Sequence, residues 1–374
     1  MEQMCYDYVK YNGLLHNERS ENGDIRLKVT YRDIAREAGV SVGTVHRYLA
    51  KNDYISEDAR QKVNQAIKKL GFNPNLAQRF QRRRKTHQLG LLTSFSKDIF
   101  NSRYHTHLLG GIMNAVYETD YNLKIIFLKE RDYTNVTDIL TEYSVDGLLI
   151  LTWRIHPNLI RLIEMCPKHI PVMLFNDYDP KIEANFVYSD VSQGIEMAVD
   201  YLVKKGRKKI AFLKGPSLIH FGSGREAVHV SSIDAYDKLE GFQKGMRAAK
   251  LPIKEEWVKE CGSYSMVEGY KKTKEVLESK ERPDGIVCAN DEIALGALNA
   301  LREFKISCPD EMSVIGFDGI EKGELTTPPL TTVEQLLNSM GFEGGRKLID
   351  ILQGKLVDPI HTKFVPKLVI RKSA

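Results

Sequence analysis

Seven consecutive residues, Ser41 to Arg47, place hydroxyl, imidazole and guanidinium groups at helical spacing just after the Gly39-Val40 turn. On a helix that turns its first residues outward, Arg47 can pair bidentately with a guanine edge. Val42 can only touch a thymine methyl, and Gly43 permits close approach without reading a base. Ser41, Thr44 and His46 suit phosphate oxygens. A second set of chemically capable residues follows apolar runs further on: Trp153 with Arg154, Asn176 with Asp177, Asp190, Asn290 with Asp291, and Asp318. Carboxylates and amides beside an indole suit a sugar, whose hydroxyls want bidentate partners and whose C–H face stacks on a ring. Taken singly, each group has an ordinary reading: an exposed Arg or His is usually just solvated, and Asp291 can simply open a helix. The surrounding elements decide between the two.

Around the first set, Thr30 can cap a helix whose apolar residues are Ile34, Ala35 and Ala38. Gly39 supplies a tight turn, Ser41 caps a second helix, and Val45 and Leu49 lie four apart on its inner face. Ser56-Glu57-Asp58 opens a longer helix with Val63, Ile67 and Leu70 at helical spacing, closing a small three-helix core before Gly71. Lys28 to Gln88 carries 14 Lys and Arg against 5 Asp and Glu, a balance of +9, whereas residues 1–27 and 89–374 each come to −2. So local an excess is the footprint of a nucleic-acid module on a neutral body. Beyond it, Asn75 can cap a short helix running to about Gln81, with Arg79 and the run Arg82 to Lys85 beside it. A helix this short does not persist alone in water and is expected to order only when held.

From Leu89 apolar strands alternate with helical stretches: Leu89 to Phe95, Leu123 to Leu128, Gly147 to Thr152, Val172 to Phe175, Lys209 to Lys214, Gly285 to Ala289 and Ser313 to Phe317. The alternation predicts an α/β body of parallel sheets with helices on both faces. At 286 residues it exceeds the roughly 250 that one core usually holds, so two lobes are expected. In open parallel sheets ligands sit outside the carboxyl ends of the strands, which is where the second residue set falls.

The chain of 374 residues is 42% hydrophobic and 28% charged, the balance of a soluble globular protein. Its apolar runs are far too short to cross a bilayer, and no signal-peptide stretch opens it, so the expected location is the cytoplasm. Five scattered cysteines without CxxC spacing argue against both a disulfide framework and a zinc module. Gly222 to Ala227 fits GxGxxA but stands away from a first βα turn, no GKS or GKT loop occurs, and His105 and His107 fall on different helix faces. No catalytic constellation, metal or cofactor is expected; an α/β enzyme and a sugar-binding protein without DNA-binding role stand as the alternatives.

The run Val29 to Leu49 (VTYRDIAREAGVSVGTVHRYL), continued by Ile55-Ser56 and Leu70 to Asn75, resembles the headpiece of the lactose-repressor/galactose-repressor family of bacterial transcription regulators. Ile286 to Leu298, Ser313 to Asp318 and Thr327 to Val333 are similar to that family's effector-binding body. The resemblance implies a helix-turn-helix domain over 28–72, a hinge helix and basic linker over 73–88, and a bilobed periplasmic-binding-protein-like (type I) body over 89–374. Residues 1–27 match nothing and read as a disordered extension. It also implies a near lobe of about 89–190 and 335–358 and a far lobe of about 191–334 and 359–374, with crossings near Asp190, Glu334 and Asp358.

The implied partners are a near-palindromic double-stranded operator, a second copy of the chain, and a small-molecule effector, a sugar or sugar derivative; no membrane is involved. DNA contacts fall on Thr30, Tyr31, Ser41, Val42, Gly43, Thr44, His46 and Arg47, and in the hinge on Asn75, Ala77, Arg79, Phe80 and Gln81. His46 stands where the family carries a serine. Counting from Pro74 makes Gln81 the minor-groove wedge, whereas aligning Ala77 to Phe80 with the usual motif makes it Phe80, the preferred choice. Effector contacts are implied at Asn290 and Asp318, with pocket positions at Trp153, Asp177 and Asp190. The family's effector-clamping arginine, counted back from Gly241, falls on Tyr236.

Overall fold

The computed structural model describes residues 31–49, 55–70, 85–93, 102–127, 144–151, 160, 162–164, 166, 169–176, 178–221 and 228–374. The chain divides into two compact units, one of residues 1–85 with 135–144 and 161–167, the other holding the remainder.

In the first unit three helices follow one another: α1 (Tyr31–Ala38), α2 (Val42–Leu49) and α3 (Glu57–Lys69). Gly39 adopts φ +64°, a conformation that costs glycine little, and the chain turns so that the Val40 amide reaches the Ala35 carbonyl at 2.9 Å. Ser41 then caps α2, its Oγ accepting the Thr44 N–H at 3.1 Å. Ser56 caps α3 through the Ala59 N–H at 3.3 Å, with Glu57 and Asp58 in the first turn and Lys68 and Lys69 in the last, complementing the helix dipole. Ile34, Val45 and Val63, one from each helix, are fully buried and meet in a core completed by Ala35, Leu49 and Ile67.

The second unit runs β1 (Gln88–Thr93), α4 (Arg103–Tyr117), β2 (Asn122–Phe127), β3 (Gly147–Leu151), β4 (Val172–Phe175), β5 (Asn185–Ser189), α5 (Val191–Lys204) and β6 (Ile210–Lys214). It continues through the hairpin β7 (Leu218–Phe221) and β8 (Val228–Ser231), then α6 (Ile233–Ala248), β9 (Val258–Glu260), α7 (Met266–Leu277), β10 (Gly285–Cys288) and α8 (Asp291–Glu303). Last come β11 (Ser313–Asp318), β12 (Thr331–Glu334), α9 (Leu337–Leu352), β13 (His361–Phe364) and β14 (Lys367–Val369).

Two six-stranded sheets result, in the orders β13-β5-β4-β3-β1-β2 and β14-β12-β11-β10-β6-β9. Every pairing is parallel except that of β14 with β12. The central strands β3, β6 and β10 are buried at every residue, as parallel strands covered on both faces must be. Two separate cores follow: one joins β1, β3 and β4 to α4 and α9, the other joins β6, β10 and β11 to α5, α6 and α8.

The third crossing between sheets lies later than expected. His361 to Phe364 pairs in parallel with Phe186 to Ser189, so the chain leaves the first sheet after Phe364, not near Asp358. As an edge strand with two of its four residues exposed, β13 has no apolar run to announce it.

Helices α7 and α8 touch through two glycines. A Cβ on Gly269 would lie 2.2 Å from the Ile293 carbonyl oxygen, and one on Gly296 would lie 2.1 Å from that of Met266. Gly296→Ala must push the helices apart, and the expected loss is about 1–3 kcal/mol of stability. Urea unfolding reads it as a lowered midpoint; an unchanged midpoint would show that the helices part freely.

Candidate functional site

The first candidate site is the outer face of α2. Inner residues Val45 and Leu49 are buried, which leaves Val42, Gly43, His46 and Arg47 exposed on the opposite side, with Thr44 half-buried. Arg47 Nε donates to the Gly43 carbonyl at 3.3 Å, so the guanidinium folds back towards the first turn of α2, the end that enters a groove in helix-turn-helix docking. The hydroxyls of Ser41 and Thr44 lie 2.9 Å apart, and Ser41 combines capping with a position at the helix mouth. His46 stands edge-on to the Tyr31 ring at 4.6 Å, which places both on the same side as Arg47.

Acidic groups of this unit are turned to other work. Glu37 accepts Lys69 Nζ at 2.6 Å, Asp58 accepts Lys62 Nζ at 2.7 Å, and Asp33 pairs with Arg36. Thr30 and the hinge positions Asn75, Ala77, Arg79, Phe80 and Gln81 lie outside the described residues, as does the 1–27 extension.

The second candidate site gathers at the carboxyl ends of the two sheets. Crossings at Asp190, after β5, and at Gln335, after β12, join these ends, and Arg103 at the start of α4 reaches Glu321 beyond β11 at 3.6 Å. On the first sheet, Asn176 (φ +58°) donates through its amide to the Tyr104 hydroxyl and accepts the Ser189 N–H at 3.1 Å. Trp153 and Asp177 lie outside the described residues.

Asp190 does not present a free carboxylate. One oxygen caps α5 by accepting the Gln193 N–H at 3.0 Å, and the other accepts Lys363 Nζ of β13 at 2.8 Å. Burial pushes its pKa up, but Lys363 and the Gln193 amide outweigh that and hold it below the usual carboxylate range. Its place is to pin the first crossing to β13.

On the second sheet the residues converge. Asn290 caps α8, its Oδ1 accepting the Ile293 N–H at 2.9 Å while its Nδ2 donates to the Tyr264 carbonyl at 3.4 Å. Asp291 is wholly buried, accepting the Thr332 hydroxyl at 2.6 Å and the Ile320 N–H at 2.8 Å; burial, with Asp318 close by, pushes it up to about 8. Asp318 has φ +115°, strained for a non-glycine residue and of the kind that clusters at ligand sites. It accepts Gln335 Nε2 at 2.7 Å, and burial lifts it to about 7 although Lys238 and Gln335 pull it down.

Tyr236 stands in the first turn of α6 and brings no charge. Two residues on, Lys238 does: 3% exposed, its Nζ lies 3.0 Å from Asp234 Oδ1, 3.0 Å from the Ala289 carbonyl and 4.4 Å from the centre of the Phe317 ring. The Tyr264 hydroxyl completes the cluster by donating to Asp234 Oδ2 at 2.7 Å. Sequence reading missed Lys238, Asp234, Tyr264 and Gln335. The i,i+4 spacing of Asp234 and Lys238 and the position of Gln335 just past a strand end were signals that could have found three of them.

Among the described residues no group of three or more His, Cys, Asp or Glu is placed to hold a metal ion, and no helix is long and apolar enough to cross a membrane. Cys261 and Cys288 are free and buried.

Known proteins resemble the chain in both units. The description "Bacterial regulatory proteins, lacI family" matches residues 30–75, and "Periplasmic binding protein-like domain" matches residues 199–374. The HTH-type transcriptional repressor PurR of Vibrio parahaemolyticus is 30% identical over 355 residues, covering 92% of this chain and 98% of that protein. Among solved structures, a complex of the transcriptional regulator CelR with cellobiose superposes with TM-score 0.70 at 24% identity, covering 93% of this chain and all of that one. The lac repressor dimer bound to operator and the anti-inducer ONPF gives 0.65 at 25% identity, covering 92% and 98%. With a helix-turn-helix headpiece, a two-sheet body and a relative of this likeness along nearly its whole length, the chain belongs to the LacI family of bacterial regulatory proteins and is a DNA-binding transcriptional repressor, not an enzyme.

Proposed function

We propose that the protein represses transcription as a homodimer, seating α2 of each subunit in a major groove of a near-palindromic operator while the hinge segment within 73–88 of each subunit enters the minor groove. A small-molecule effector, a sugar or sugar derivative, binds at the carboxyl ends of the two sheets, contacting Asp318 and Asn290, with Trp153 and Asp177 as further pocket positions. The observation that carries this reading is the convergence of Lys238, Asp234, Asp318 and Gln335 beside the crossing at Gln335. A ligand held there touches the second sheet and the segment leading to the first, so binding biases how the lobes sit. Effector and operator are then coupled by about 1–3 kcal/mol, reciprocally in binding. The likeness to a cellobiose-bound regulator and to an operator-bound dimer supports the same assignment.

A thermal-shift screen of sugars and their derivatives against the full chain tests it, since a ligand at 100 times its Kd stabilises by about 2.7 kcal/mol. The ligand so found should change operator affinity of the wild type. Asp318→Ala should lose that response while operator binding without ligand stays near normal. A variant that still responds fully removes Asp318 from the site.

A further inference from the structure

Several side-chain donors that the described residues bring to the second-sheet wall already have partners. Lys238 Nζ faces Asp234, the Ala289 carbonyl and the Phe317 ring. The Tyr264 hydroxyl donates to Asp234, the Asn290 amide to the Tyr264 carbonyl, and the Thr332 hydroxyl to Asp291.

The acceptors are not all matched. Asp318 Oδ1 takes the Gln335 amide, and no described residue donates to its second oxygen. Gln335 Oε1 is buried without a partner on a residue only 2% exposed. Turning that amide over would set its oxygen against the Asp318 carboxylate, so the ion fixes its orientation. Two acceptors, one of them charged, therefore belong to a bonded pair of residues and have no donor among the described residues.

The charge balance points the same way. Asp234 and Glu292 lie close enough to Asp318 to push its pKa further up after burial has done most of it, and Lys238, itself paired with Asp234, is the cation that opposes them. Glu292 is matched by Lys322 at 3.5 Å, so among the described residues the cation facing Asp318 is Lys238, which it shares with Asp234. A single hydroxyl donates one hydrogen bond and cannot answer two acceptors at once. A primary ammonium has three donors and no acceptor, which is what the unmatched pair requires.

We infer that the effector carries a primary ammonium group seated between the Asp318 carboxylate and Gln335 Oε1, on a polyol scaffold. This rests on the cleft being the effector site.

The test uses the full chain and matched probes, with affinities read by thermal shift and calorimetry. Glucosamine, glucose and N-acetylglucosamine share a ring; glucamine and sorbitol share an open chain. Together they distinguish an amino sugar from an amino alditol. In at least one series the amine should bind at least tenfold tighter than its hydroxyl or acetylated partner, and Asp318→Asn should remove that preference. Gln335→Glu, which sets a second carboxylate at the unmatched acceptor, should strengthen amine binding and covers the case in which Asp318→Asn fails to fold. The inference falls if a neutral partner binds as well as its amine, if no amine binds, or if Gln335→Glu leaves amine affinity unchanged. Neutral sugars that bind and are lost with Asp318→Ala would leave the cleft assignment standing and sink only the ammonium.

Discussion

Replacing Arg47 by Ala should lower affinity for an operator selected from random duplexes by about 1–3 kcal/mol per half-site. In a symmetric dimer both half-sites lose the contact, so the combined effect runs from tens to tens of thousands of fold. The physical reason is placement. Arg47 is exposed on the side of α2 opposite the buried Val45 and Leu49, and its Nε bond to the Gly43 carbonyl leads the guanidinium along the helix towards its first turn. A fork held there can match the two acceptors of a guanine, which no other side chain on this face can do.

The signature is therefore a loss of discrimination as well as of affinity. Wild type should bind a base-substituted operator more weakly than the selected one, and Arg47→Ala should bind both alike. His46→Ala provides the contrast. An imidazole beside Tyr31 suits a phosphate, so its loss should weaken binding evenly across sequences. If Arg47→Ala kept its preference for the selected base pair, α2 would not be lying in the groove as assigned.

How far these sites were legible in sequence differs by the kind of signal. The three helices of the first unit were open to reading because each has a local cue: a hydroxyl cap at Ser41 and Ser56, a turn at Gly39, and apolar residues at helical spacing. Strands β3, β6 and β10 were equally plain, since burial on both faces demands an unbroken apolar run. Edge strands carry no such demand. β13 shows two exposed residues in four and β9 has only three residues, so the crossing after Phe364 could not be placed from pattern alone.

The candidate sites depend on contacts distant in sequence, and there reading faltered in a specific way. Asp190 had the right residue type after the right strand, but Lys363, 173 positions on, takes its free oxygen. A fixed count back from Gly241 led to Tyr236, while the buried cation is Lys238. What identifies Lys238 is its company: Asp234 one turn before it, and Ala289 and Phe317 from strands that only the folded sheet brings alongside.

That company makes Lys238 the residue whose replacement should most disturb the body. Lys238→Met keeps much of the volume and removes the charge, leaving Asp234 with the Tyr264 hydroxyl as its remaining partner in the cluster. Breaking a buried ion pair from one side costs about 3–5 kcal/mol. Because the Asp234 side chain is 25% exposed and keeps Tyr264, the lower end, about 3 kcal/mol, is expected. For a unit of this size each kcal/mol moves Tm by roughly 2–4 °C, so differential scanning should show a fall of about 6–12 °C. Changing both partners separates charge from packing. Lys238→Met with Asp234→Asn removes one of the two carboxylates that Lys238 faces, Asp318 keeping its Gln335 donor, and the double variant should recover part of the loss, since the penalty belongs to an unpaired ion and not to a missing contact. A double variant no more stable than the single one would mean that Lys238 holds the body through its stem packed on Phe317, and the pair would then carry no electrostatic weight.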